Sequence, residues 1–397
     1  MSKLDELINE LCPNGVPYKT IEEIAVKVFA GGTPTSSNDS YYGGDIPWLR
    51  SGEVNFSIIK STGIFITEEG FNSSSARWVK PHSVLLAMTG ATVARSAVND
   101  IALTANQSVA AIEPKELINY RFLYFCISNM YESIKGMAQG ALTSINLKII
   151  KALKIPVPPM EVQCEIVRIL DNFTELQNTL NEEYERRSQT YDSVSTALFD
   201  NLYNTSKLVT VSNVAKNQSV KNKGEVCKDA FSITQSGLAR TSEFFKDAKV
   251  TSSDTSTYKI VKPGWFVYSP SRIDVGSIDY SKIDFDVIVT SLDVVFSIDE
   301  NKIDKDFLLL FLKSKKGMFQ ILANRQGIEG TGRKTIPFAN FGKVKIPLPS
   351  LTEQRTIIEK LSKLSDYNKT LKLEMTKRQK QYEYYRDKLL TFKELKA

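Results

Sequence analysis

The chain has 397 residues, 42% apolar and 24% charged, and its 51 Lys and Arg against 45 Asp and Glu leave a net charge of +6. That length accommodates two or three domains, and the composition excludes global disorder. The mild basic excess is compatible with a polyanionic partner without requiring one. Cys12, Cys126, Cys164 and Cys227 form no CxxC and no regular spacing. They argue against a disulfide framework or zinc site and for a reducing cytoplasm. The N-terminal Met-Ser-Lys-Leu-Asp-Glu is unlike a signal peptide, and the longest apolar run, 307–312, is too short to span a bilayer. The expectation is a soluble, cytoplasmic protein with no membrane partner.

In chain order, Leu4, Leu7, Ile8 and Leu11 share one face of a short helix that Pro13-Asn14-Gly15 ends. Residues 18–153 mix short β-rich runs (83–88, 108–112) with Gly-rich loops and an amphipathic helix near 120–137. Residues 208–344 repeat that order with different residues. Val79-Lys80-Pro81 and 83–87 correspond to Val261-Lys262-Pro263 and 265–269, while 109–112 and 122–125 correspond to 294–297 and 307–310. Two globules of α+β character follow.

The segments after the globules repeat in sequence as well as order. Lys154-Ile155-Pro156-Val157-Pro158-Pro159-Met160-Glu161-Val162-Gln163 returns 191 residues later as Lys345-Ile346-Pro347-Leu348-Pro349-Ser350-Leu351-Thr352-Glu353-Gln354. At the same offset, Ile166, Leu170, Phe173, Gln177, Leu180, Tyr184, Arg187, Tyr191, Val194 and Leu198 fall on Ile357, Leu361, Leu364, Asn368, Leu371, Met375, Arg378, Tyr382, Tyr385 and Leu389. Spacings alternate four and three, the mark of a coiled-coil seam. The stretch 166–198 makes roughly 48 Å of helix at about 1.5 Å per residue. Its natural partner is the other copy, antiparallel, which gives the repeats a pseudo-two-fold relation. Full overlap places Gln177 opposite Arg378 and Asn368 opposite Arg187, so these four are expected to pair and fix the register. The alternative is that they ride the edge of the apolar stripe. The chain then divides into a first globule (1–153), a repeat helix (154–203), a second globule (204–344) and a second repeat helix (345–397).

Catalytic and cofactor signatures are missing. His82 is the single histidine and reads as a turn residue, which argues against a His triad or a His/Cys metal site. There is no G-x-G-x-x-G. Gly327-Ile328-Glu329-Gly330-Thr331-Gly332-Arg333-Lys334-Thr335 fails as a P-loop, because Arg333 separates the glycine from Lys-Thr and no strand leads in. No cofactor or metal is expected in this chain. What remains is binding. Hydroxyl-rich and Gly-rich loops with arginines offer Thr33, Arg50, Arg77, Thr89 and Arg95 in the first globule and Arg240, Arg272, Arg325, Arg333 and Lys334 in the second. Arginine reads guanine bidentately, and Thr and Lys fix phosphates. Basic clusters add to this: 371–397 holds eight basic and four acidic residues, and 324–345 holds five basic residues against Glu329. Taken singly, each of these is also an ordinary loop residue.

The duplicated Ile-Pro-x-Pro segments resemble the DNA-specificity subunit of type I restriction-modification enzymes. Further similarities are Leu11-Cys12-Pro13-Asn14-Gly15-Val16, Gly32-Thr33-Pro34, Gly43-Gly44-Asp45-Ile46-Pro47-Trp48, Met88-x-Gly90-Ala91-Thr92 with Asn106-Gln107, and Tyr384-Tyr385-Arg386-Asp387-Lys388-Leu389-Leu390. The chain departs at Glu161-Val162-Gln163, where the second copy has Thr352-Glu353-Gln354, and the second globule lacks a clear Gly-Thr-Pro and Asn-Gln. The resemblance implies a non-catalytic reader of double-stranded DNA. Two target recognition domains each read half of a bipartite, asymmetric target, with paired helices setting the spacing. The implied partners are two methyltransferase subunits, which bring S-adenosylmethionine, and restriction subunits, which bring ATP and Mg. Half-sites would be centred on the order of one helical turn apart, at about 3.4 Å per base pair. Two other readings remain open: a coiled-coil adaptor that binds protein partners, and a nuclease or fused methyltransferase.

Overall fold

The computed structural model describes residues 2–138, 144–244, 254–327 and 334–395. They form two compact units, Met1–Asn181 with Glu374–Ala397, and Glu182–Leu373.

In the first unit, a five-stranded sheet runs edge to edge through Ala25–Ala30, Val109–Pro114, Val84–Ala87, Ser96–Asn99 and Ile58–Ile59. The inner strands are short, mostly apolar runs buried on both faces, as a covered sheet requires, with Ser96, Asn99 and Glu113 as buried polar exceptions. Helix Tyr120–Asn129, capped by Asn119, packs Phe122, Phe125 and Ile127 against Val84, Leu86 and Ile112. Each such side chain contributes roughly 1.5–3 kcal/mol on burial. The single helix expected near 120–137 is two, Tyr120–Asn129 and Tyr131–Gly136. At Met130 the chain leaves helical geometry (φ −85°, ψ 7°) and its N–H turns onto the carbonyls of Cys126, Ile127 and Ser128.

The second unit repeats this plan. Its four-stranded sheet runs Ala215–Gln218, Val294–Ile298, Phe266–Tyr268, Ile278–Tyr280, the same order and antiparallel sense as the first four strands above. Helices Lys305–Lys313 and Lys315–Ala323 again break at one residue, here Ser314, whose hydroxyl accepts from Gly317 N–H at 3.1 Å. The packing chemistry differs. Where the first core is largely aliphatic, this one is aromatic, with Phe266 stacked on Phe296 at 4.9 Å and Phe199 against Phe311 at 5.5 Å.

Both units root their long helix in the same way. Strand Tyr18–Thr20 pairs with Lys154–Pro156 antiparallel, Tyr18 opposite Pro156, and Leu208–Thr210 pairs with Lys345–Pro347, Leu208 opposite Pro347. A fully buried glutamine then clasps the globule. Gln163 accepts from Asn119 N–H at 2.8 Å and donates to the carbonyls of Leu117 (3.1 Å) and Pro158 (2.8 Å). Gln354 accepts from Asp304 N–H at 2.7 Å and donates to the carbonyls of Lys302 (3.1 Å) and Pro349 (2.9 Å). Asn119 and Asp304 are themselves the caps of the following helices. The repeated Ile-Pro-x-Pro-x-x-x-x-Gln is therefore a joint. Its prolines set an extended lead-in, and its glutamine satisfies three backbone groups at the cap.

The long helices are Met160–Thr205 and Leu351–Leu389. Within the first unit their segments run antiparallel. Phe173 lies 5.7 Å from Tyr385 and 6.3 Å from Tyr382, and Gln177 Nε2 donates to Gln379 Oε1 at 2.7 Å. Within the second, the Arg187 guanidinium sits 5.6 Å over the Tyr367 ring. Tyr191, Val194 and Leu198 there share a core with Ile357 and Leu361. These contacts fall within about one helical turn of the full-overlap register.

The expected polar pairs do not form. Arg378 Nε donates instead to Glu374 Oε1 at 2.7 Å, four residues back on its own helix, and Arg187 Nε does the same with Glu183. Asn368 Oδ1 is buried without a hydrogen-bond partner among the described residues. The physical reason is local competition. A glutamate one turn away offers a charge-assisted bond that a cross-helix amide oxygen cannot match. Glu183 and Glu374 are themselves related by the 191-residue offset, a signal present in the sequence.

Candidate nucleic-acid interface

In the first unit, strand pairing places Ala30, Val109, Ala87 and Ser96 at one end of the large sheet. The loops that leave there carry Thr33, Thr89 and Arg95. Arg50 joins them, because strand Tyr42–Leu49 pairs in parallel with Thr104–Ala105 and Asn106 N–H donates to the Leu49 carbonyl at 2.9 Å.

The corner is tightly built. Gly31 N–H donates to Val109 O at 3.0 Å and Gly32 N–H to Ala105 O at 2.8 Å. A Cβ on Gly31 would stand 2.0 Å from the Ala105 carbonyl oxygen, and one on Gly32 2.2 Å from Ala76 N. Only glycine allows that approach of two backbones. The Trp48 indole N–H fixes the Gly32 carbonyl at 2.9 Å. Thr33 is thereby held against Gln107, its Oγ1–H donating to Gln107 Oε1. Gln107 itself is exposed. Arg95 donates to Asn55 Oδ1 at 3.1 Å, next to Ala94, whose φ of 68° turns the 88–95 hairpin sharply. Arg50 and Arg77 are exposed, and Arg77 follows the Ala76 that abuts Gly32. His82 lies at the opposite end of the sheet, stacked on Tyr120 at 4.5 Å.

In the second unit the corresponding end holds Gln218, Val294, Tyr268 and Ile278. Arg272 is exposed on the 269–277 loop, and Lys334 is exposed beside it, since Ile336 N–H donates to the Pro270 carbonyl at 3.1 Å. Arg325 points inward. Its side chain is 10% exposed, and it donates to Asp274 Oδ2 and to the Lys334 carbonyl, both at 3.0 Å. Arg240 is ion-paired with Asp229 and lies 5.3 Å over Phe231. Arg333 lies outside the described residues.

Three residues at these ends escaped the sequence reading as candidates. Gln107 was visible there only as half of a short motif. Leu292, at 82% exposure, and Val226, at 85%, stand out of loops at the second unit's end. An exposed aliphatic carries no signature in a sequence. The Lys259 ammonium donates to the Asp293 carbonyl at 2.5 Å beside Leu292. Burial lowers the Lys259 pKa from its usual value and raises that of Asp293, against the opposing pull of each on the other. Among the described residues no His, Cys, Asp and Glu cluster could hold a metal, and no helix is long and apolar enough to cross a membrane.

Residues 13–186 and 203–380 match the family described as type I restriction modification DNA specificity domain. The chain is 31% identical over 195 residues to the EcoR124I/EcoR124II specificity subunit of Escherichia coli, covering 46% of this chain and 48% of that one. It thus spans about half the length of that relative. It is 30% identical over 315 residues to the putative type I restriction enzyme specificity subunit S.HindORF215P of Haemophilus influenzae, covering 72% of this chain and 76% of the other. The fold is similar to that of the type I restriction-modification S subunit from M. genitalium, with a TM-score of 0.59 at 16% identity, covering 98% of this chain and 99% of that one.

Proposed function

This chain belongs to the family of type I restriction-modification DNA specificity proteins, and from that premise we propose that it reads a bipartite, asymmetric DNA target. The observation that carries the reading is the shared sheet end. In both units it gathers loops with exposed arginine, lysine, hydroxyl or amide groups, on globules whose residues differ while their joints are the same. Unlike loops read unlike half-sites. The long helices set the spacer, and the matching joints present matching surfaces to two methyltransferase subunits. Those subunits supply S-adenosylmethionine, and restriction subunits supply ATP and Mg. The chain itself recognises and does not catalyse.

Arg50, Arg77, Arg272 and Lys334 are the exposed cations, with the half-buried Arg95 held on Asn55 beside them, and they suit phosphates or guanine edges. Thr33 and Thr89 stand in the loops of the same sheet end, where their hydroxyls suit phosphates.

The test is to map methylated adenines in DNA modified by the chain with its methyltransferase partner, then exchange residues 18–153 for the domain of another family member. One half-site should change and the other persist. A change in both would end the independent-reader reading. Binding without a steep salt dependence would favour a protein-binding adaptor instead.

A further inference from the structure

Leu292 is 82% exposed, yet the turn beneath it is closed several times over. Asp293 N–H donates to the Thr290 carbonyl at 3.2 Å, and Thr290 Oγ1–H to the Asp293 carboxylate at 2.9 Å. The Lys259 ammonium holds the Asp293 carbonyl, and the Asp293 side chain is buried. The chain then enters the central strand Val294–Ile298. Asp293 turns inward, while Leu292 points out beside the small, exposed Ser291. Single exposed leucines are commonplace, but this one stands on a rigid support at the end of the sheet where Arg272 and Lys334 are exposed. Exposed Lys221, which bridges to Lys259 across strands, and Lys223 add cations nearby.

The corresponding position of the first unit adds the second observation. Val109 and Val294 open equivalent strands, and the residue two before each is Gln107 and Leu292. The same loop thus offers an exposed amide in one unit and an exposed aliphatic side chain in the other. An amide can read a base edge by hydrogen bonds. Leucine can do so only by apolar contact, and the one apolar group on a major-groove edge is the thymine C5-methyl. Against any other base it would strip water from a polar edge without replacing the lost hydrogen bond.

We propose that Leu292 reads a thymine in the half-site of the second unit by packing on its C5-methyl group. The inference rests on the DNA-reading function proposed above. Burying one methyl group is worth about 0.8 kcal/mol, roughly fourfold in affinity.

The experiment uses the full chain assembled with its methyltransferase partner and duplexes in which each thymine of the mapped target is replaced in turn by uracil, which lacks only that methyl. One replacement, in the second half-site, should weaken wild-type binding roughly fourfold. Leu292→Ala should weaken binding to the unmodified target about as much, respond to that one replacement no longer, and respond to those in the first half-site as wild type does. Its thermal unfolding should match wild type, since the side chain is exposed. Indifference of the wild type to every uracil in the second half-site would overturn the inference, as would a second half-site without an A·T pair. An equal loss on all DNA by Leu292→Ala would also overturn it, marking a non-specific contact. A wild-type complex with no sequence preference at all would remove the DNA-reading function and this inference together.

Discussion

The root of each long helix and the far end of each sheet respond differently to the same duplication. At the roots, Gln163 and Gln354 make the same three hydrogen bonds to the same kinds of backbone group, within about 0.1 Å of one another. At the far ends, a glycine corner with a threonine-held amide stands in one unit and an aliphatic turn stands in the other. A buried, fully satisfied polar joint tolerates almost no substitution, because every change strands a partner. A solvent-facing loop has no such constraint and is free to carry specificity.

The largest effect is expected at the joints. Gln354→Leu strands the Asp304 N–H and two carbonyls, and at about 1–3 kcal/mol per buried unsatisfied group, with some relief from water, the cost should be about 4 kcal/mol. Gln163→Leu should cost the same in the other unit. Denaturant unfolding of the two variants, followed through the transition of the affected unit, checks this. Losses differing by more than about 1.5 kcal/mol would show that the two joints are not energetically equivalent.

Next is the corner of the first unit. Gly31→Ala places a Cβ on the Ala105 carbonyl oxygen, and the backbone must shift at a cost of about 2–3 kcal/mol. Thr33 and Gln107 lose their alignment, so recognition of the first half-site should fall at least tenfold while the second is unchanged. Methylation of targets scrambled in one half or the other separates the two. Equal loss in both halves would contradict the corner's assignment to one reader.

Within the second unit, two arginines make a sharper contrast. Arg272→Ala should leave stability unchanged and reduce the slope of log affinity against log salt by about one, as loss of one phosphate contact does. Arg325→Ala should lower stability by about 1 kcal/mol, because it removes the ion pair to the solvent-facing Asp274 and the bond to the Lys334 carbonyl that holds strands Gln326–Gly327 and Lys334–Thr335. The salt slope should hardly move. The reverse pattern would make Arg325 the phosphate contact.

How far these features could be read from sequence follows from their range. The apolar seam was readable because periodicity is a property of one helix; the polar pairs across it were not, because each arginine found a glutamate on its own helix. The joints were visible as repeated letters, although nothing local says that Gln163 bonds to residues 44 and 46 positions away. The clustering of Thr33, Arg50, Thr89 and Arg95 needed the pairing of strands remote in sequence. Arg325 and Arg272 are alike as letters, and only the position of Asp274 makes one internal. The exposed aliphatics at 226 and 292 could not be found from composition, since their exposure is a tertiary fact.

The smallest effect concerns the seam, where the two copies of one polar layer diverge. Gln177 belongs to a relay, donating to Gln379, which donates to Glu383 Oε1 at 2.7 Å. Its repeat counterpart, Asn368, buries Oδ1 with no donor to it among the described residues. An unmet acceptor of this kind costs about 1–3 kcal/mol, and asparagine is also a weaker helix former than leucine. Asn368→Leu should therefore raise stability by about 1 kcal/mol, while Gln177→Leu, which breaks a made bond, should lower it by about 0.5 kcal/mol. Opposite signs from formally equivalent positions would show that the layer is polar by descent in one unit and by hydrogen bonding in the other. A loss on Asn368→Leu would mean instead that the amide meets a donor when the assembly forms, and comparing the free chain with the methyltransferase-bound complex would locate it.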